Sequence, residues 1–140
     1  MKNITYSLVI AIALFALPGA YAADVKIVAN PSVGASAVSA DELKGVFLGT
    51  KTTLHDGSRV EPVLAKGGAT HDTFLKQYIG KTDAALQTYY RSLVFTGKGS
   101  MPKALSSDAE IVGYVGKTKG AIGYVSGNAS VEGVKTLDVK

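Results

Sequence analysis

Capped helices alternate with short apolar runs along this chain, and that alternation restricts the fold more than any other feature. Ser39-Ala40-Asp41-Glu42 and Ser107-Asp108-Ala109-Glu110 both read as capping boxes. In such a box the serine hydroxyl and the glutamate carboxylate satisfy amides that a helix leaves free at its start. Thr82 stands as a third cap. Glycines at 49, 80 and 120 follow the helical stretches and stop them. The pattern predicts helices from Ser39 to near Gly49, from about His71 to Ile79, from Thr82 to about Leu93, and from Ser107 to about Lys117. Strands are expected at Val25–Ala29, Val60–Leu64, Ala121–Val125 and Val134–Val139. Asn30–Val38, Ala65–Thr70 and Val94–Leu105 read as loops, and His55-Asp56-Gly57 as a turn. Interleaved strands and helices make the class α/β, a mixed sheet flanked by helices.

Met1 to Ala22 reads as a secretory signal peptide, with Lys2 as its positive end. Leu8 to Leu17 forms its apolar run and Ala20-Tyr21-Ala22 its cleavage site. The run is shorter than the ~20 residues a membrane-spanning helix needs. The expectation is one exported domain at residues 23–140, periplasmic or secreted, with no membrane span after cleavage. The chain has no cysteine, so stability rests on the core and not on disulfides. Its net charge of +4 is spread without a run, which suits small anions and acidic surfaces and gives no case for nucleic acid.

No catalytic or metal motif emerges. His55 and His71 are the only histidines, and they read as a solvated turn residue and a helix-cap residue. No H-E-x-x-H or G-x-S-x-G spacing occurs. Gly80-Lys81-Thr82 and Gly116-Lys117-Thr118 resemble the end of a phosphate loop, but Leu75 and Ile111 stand where its first glycine belongs. The chain therefore reads as a non-enzyme with no cofactor and no metal. Phe47, Phe74, Ile122 and Tyr124 are expected in the core, as are most of the aromatics, Phe95 and Tyr114 among them. The best site candidate is Lys66-Gly67-Gly68-Ala69-Thr70-His71, between a strand and a helix. Free amides and the dipole at a helix start favour an anion there, with Lys66 adding charge and Thr70 a hydroxyl.

Three segments in order carry a family resemblance: Val46-Phe47-Leu48-Gly49, Phe95-Thr96-Gly97-Lys98-Gly99 and Gly120-Ala121-Ile122-Gly123-Tyr124-Val125. Together they resemble the phosphate-binding proteins that serve phosphate ABC importers, across nearly all of Asp24 to Lys140. The last segment is similar to that family's "pGAIGYV" strand. Val46 to Gly57 resembles its helix end and turn. The resemblance implies one lobe of a periplasmic-binding-protein-like fold, since the full family proteins have two lobes and this chain has length for about one. It implies phosphate or a similar small anion as ligand, a link to phosphate uptake, and an ABC importer or another envelope protein as partner. The family's "R…GSGT" loop falls here: Thr70 matches its threonine, Ala69 stands on a glycine and Gly68 on the serine. No arginine stands at the corresponding position, and the chain has no tryptophan where the family often has one, near Leu54 and Tyr90. The ligand contacts so implied are Lys66, Gly68, Ala69, Thr70 and His71. The alternative is an interaction module that keeps the fold and docks on another envelope protein without a ligand.

Overall fold

The computed structural model describes residues 24–140, so the signal peptide and its cleavage site lie outside the described residues. Six strands form one sheet: β1 (Val25–Ala29), β2 (Ala37–Val38), β3 (Glu61–Ala65), β4 (Lys103–Leu105), β5 (Ala121–Ser126) and β6 (Lys135–Val139). Their order is β2-β6-β1-β5-β3-β4. β1 runs antiparallel to both β5 and β6, while β2/β6, β3/β4 and β3/β5 pair in parallel. Five strands thus share one direction and β1 opposes them.

The helices are α1 (Ala40–Phe47), α2 (Ala69–Phe74), α3 (Asp83–Phe95) and α4 (Asp108–Lys117). The three expected hydroxyl caps are in place. Ser39 accepts from the Glu42 amide at 3.0 Å, Thr82 from Ala85 at 3.2 Å and Ser107 from Glu110 at 3.2 Å. The carboxylate half of each box departs from expectation. Glu42 turns to the His55 amide at 2.6 Å, and Glu110 accepts from Ser106, one residue before the cap, at 2.9 Å. α2 passes directly into a π-helical stretch, Leu75–Ile79, which ends on left-handed Gly80. The Gly80 amide closes it on the Leu75 carbonyl at 2.7 Å, five residues back.

Two apolar layers hold the sheet. On one face α1, α2 with its π stretch, and α3 bury Leu43, Val46, Phe47, Phe74, Leu86 and Tyr90 against Ile27, Ile122 and Tyr124. On the other, α4 buries Ile111 and Val115 against Val28, Val63, Ala121 and Val125. Each helical set recurs at three- and four-residue steps, so one stripe meets the sheet. Gly123 permits the close approach of α4: a Cβ there would stand 3.1 Å from the Ile111 side chain.

Phe47, Phe74, Ile122 and Tyr124 are fully buried, as the sequence predicts. Other expectations need correction. The segments read as long loops contain the short strands β2 and β4. α3 runs two residues further, to Phe95. Phe95 is 93% exposed, because it ends α3 at the last turn and points off the core stripe. Tyr114 is half-buried, its ring covered by the Lys103 ammonium at 5.5 Å.

Candidate functional site

The direction of the strands sets which edge of the sheet carries the connections into the helices. β2, β3, β4, β5 and β6 all end at one edge of the sheet, and the starts of α1, α2 and α4 lie beyond it. In open α/β sheets ligands are bound at this carboxyl edge. The segment Lys66–Thr70 occupies it between the end of β3 and α2. The Lys66 amide donates to the Leu105 carbonyl at 2.9 Å, holding the segment beside the end of β4.

Gly68 takes the cap position of α2 at φ 98°, ψ 174°, and no side chain caps the helix. Glycine is required there, since side chains rarely adopt that φ. A Cβ at Gly67 or Gly68 would meet nothing within 4 Å, so the backbone is open to anything that approaches. Lys66, Gly67, Gly68 and Ala69 are exposed and Thr70 is half-buried. The two ion pairs among the described residues involve His55 and His71, which leaves the Lys66 ammonium unpaired. Concavities of about 520 and 440 Å³ are lined by other residues, Ser39, Glu42 and His55 in one and Leu75, Lys76 and Asp83 in the other. The loop is an open surface, wet on its outer side.

His71 sits behind this surface and not on it. Its residue is fully buried, which corrects the reading of a solvated cap histidine and removes its ring from the ligand side. Nε2 lies 2.7 Å from Asp83 Oδ1, and Nδ1 is hydrogen-bonded to the Tyr124 hydroxyl. That hydroxyl also accepts from the Ala65 amide at 3.0 Å. Burial pushes the Tyr124 hydroxyl well above its ordinary value of 10, against a lowering by the Ala65 amide, so it stays protonated and remains a donor. The Tyr124 ring stacks on Phe74, centroids 3.8 Å apart and planes 8° apart, and leans on Phe47 at 5.8 Å. The sequence placed Tyr124 in the core but carried no sign of its polar partners, which lie 53 and 59 positions away.

The other histidine is not free either. His55 Nδ1 faces Glu42 Oε1 at 3.1 Å, with the imidazole 62% exposed and the carboxylate nearly buried. Among the described residues no group of three or more His, Cys, Asp or Glu is placed to hold a metal ion. No helix among them is long and apolar enough to cross a membrane.

Solved structures are similar to this chain in fold. One is assigned as a phosphate ABC transporter substrate-binding protein of Clostridium perfringens, with phosphate bound (TM-score 0.66, 16% identity). The fold is one lobe of the periplasmic-binding-protein type. The lobe covers 45% of the Clostridium protein, while 84% of this chain is matched. An ABC-type phosphate transport receptor of Vibrio cholerae matches at TM-score 0.55 and 15% identity, and PstS of Borrelia burgdorferi at 0.63 and 12%. Each match again takes in 84% of this chain, and 46% and 47% of the two proteins. The lobe therefore spans less than half the length of the structures it matches. No protein-family model and no curated protein sequence matches the chain.

Proposed function

We propose that this lobe is an exported, non-catalytic module that binds phosphate or a similar small anion weakly at Lys66–Thr70, in connection with phosphate uptake. One observation carries the reading: an uncapped glycine loop with an unpaired lysine lies at the carboxyl edge of a parallel-rich sheet. Gly68 and Ala69 offer main-chain amides, Thr70 a hydroxyl and Lys66 its charge. An ABC importer is the partner that fits this ligand, and cleavage after Ala22 would deliver the lobe outside the cytoplasm. The solved neighbours whose names mention phosphate support the ligand class. An open loop leaves the anion in water, where charge attraction is weak. The expected dissociation constant is on the order of 1 mM, about −4 kcal/mol.

Chemical-shift mapping with inorganic phosphate and sulfate at matched ionic strength tests the reading. Saturable shifts at Lys66, Gly68, Ala69 and Thr70 support it. Their absence at about ten times the expected dissociation constant overturns it.

A second reading has its own observation. Val94, Phe95 and Met101 are exposed, at 49%, 93% and 47%. They lie around the turn that leads into β4, at the end of the sheet away from the loop. An apolar group of this kind favours docking on another envelope protein. A lobe silent to phosphate but captured through Phe95 would establish that alternative.

A further inference from the structure

We infer that Tyr124 and His71 are positioning residues for Lys66–Thr70: one buried hydroxyl clasps the residue before the loop and the residue after it. The ligand part of this inference rests on the anion-binding reading; the structural part does not. Ala65 precedes the loop and donates its amide hydrogen to the Tyr124 oxygen at 3.0 Å. His71 follows the loop, and its Nδ1 meets the same hydroxyl. The five residues between them thus start and finish on one oxygen.

The proton positions follow from donor and acceptor capacity. Asp83 is acceptor-only when ionised, so His71 Nε2 carries a hydrogen and donates to it at 2.7 Å. Nδ1 of the neutral ring is then an acceptor. The Tyr124 hydroxyl gives its hydrogen to Nδ1 and keeps a lone pair for the Ala65 amide. Each polar atom linking Ala65, Tyr124, His71 and Asp83 is satisfied in one tautomer, which matches the lack of unpaired buried side-chain atoms among the described residues. Asp83, whose side chain is 46% exposed, sets that tautomer from the surface.

Packing alone does not call for this arrangement. The ring of Tyr124 already has its stack on Phe74, and a phenylalanine would fill the same space. Burying a hydroxyl and an imidazole costs free energy unless both are fully paired. From outside the loop, no side chain caps α2 and nothing lies within 4 Å of a Cβ at Gly67 or Gly68. The aim of the Gly68, Ala69 and Thr70 amides is therefore governed by the first turn of α2, where the Asp72 amide donates to the Gly68 carbonyl at 3.0 Å, by the two posts on Tyr124 that fix where that turn sits, and by the Lys66–Leu105 hydrogen bond.

The test compares Tyr124→Phe with Tyr90→Phe. Tyr90 is an equally buried phenol that donates to the Phe47 carbonyl at 2.7 Å and has no hydrogen bond to Ala65–His71. Amide hydrogen exchange and titration with inorganic phosphate are read on both, at a temperature where both are folded. Tyr124→Phe is expected to speed exchange of the hydrogen-bonded Ala65 and Lys66 amides about tenfold, the worth of one net hydrogen bond, with β1 and β6 unchanged. Phosphate affinity should fall about threefold or more. Tyr90→Phe should lower the melting temperature without moving loop exchange or affinity. Loop exchange that changes no more in Tyr124→Phe than in Tyr90→Phe overturns the inference. Should Tyr124→Phe not fold, Asp83→Ala removes the half-exposed end of the chain of hydrogen bonds: faster exchange at Ala65 supports the clasp, and unchanged exchange overturns it. A wild-type lobe that shows no phosphate shifts sinks the anion-binding reading, while the exchange comparison still decides the clasp.

Discussion

His71 Nε2 stands 2.7 Å from Asp83 Oδ1, so a fully buried ring ties the helix after the glycine loop to the first turn of the next helix. His71→Ala opens a cavity and leaves the Tyr124 hydroxyl hydrogen without an acceptor. The expected cost is about 3 kcal/mol, read from urea denaturation. A cost under about 1 kcal/mol would mean that the ring is solvated.

Phe74 is the hub of the aromatic group, stacked on Tyr124 and edge-on to Phe47 at 4.9 Å. Phe74→Ala is expected to destabilise the lobe by about 3–5 kcal/mol in denaturant melts. Phe95→Ala should change stability by no more than about 0.5 kcal/mol, since Phe95 is exposed.

These two phenylalanines mark how far the sequence could be read. Phe74 lies inside a periodic stretch that Gly80 closes, where spacing alone assigns the buried face. Phe95 ends such a stretch, and the last turn of a helix has no following residues to show which way it points. Ser39, Thr82 and Ser107 were legible because a cap is a local interaction, made within three residues. β2 and β4 were not, at two and three residues, because their pairing is decided by partners far along the chain. That Lys66–Thr70 joins a strand to a helix could be read from its glycines. The burial of His71 could not, since both of its partners come from other elements.

Glu42 gives a pH dependence with a definite sign. Burial alone would raise its carboxyl, but the His55 ring and amide, with the Ser39 amide, outweigh this and hold it below the ordinary value of 4.5. A depressed carboxyl stabilises the fold above the unfolded value, and the contribution is lost as pH falls through the folded one. Stability should therefore decline as pH drops below about 4.5. Glu42→Gln should be less stable at neutral pH and show a flatter decline in acid. Parallel acid melts of the two proteins check this, and equal slopes would refute it.

Gly120 and Gly113 should respond in opposite ways to the same substitution. Gly120 has φ 76°, and a Cβ there would stand 2.7 Å from the Arg59 carbonyl oxygen. Gly120→Ala is expected to cost at least about 2 kcal/mol through strain and displacement of the β3 entry. Gly113 lies within α4, where a Cβ would meet nothing within 4 Å. Gly113→Ala should stabilise the lobe by about 0.5–1 kcal/mol. Thermal melts of both variants decide the pair.

The pairing of β1 sets the order in which this protein can fold. Its only neighbours in the sheet are β5 and β6, and Val25 meets Ser126. During synthesis β1 has no partner until β5 and β6 have been made. Closing so long a loop before any reward makes folding late and slow. A sheet whose centre closes only on β5 and β6 suits the export proposed above, since a chain threaded across a membrane must stay unfolded until it has passed.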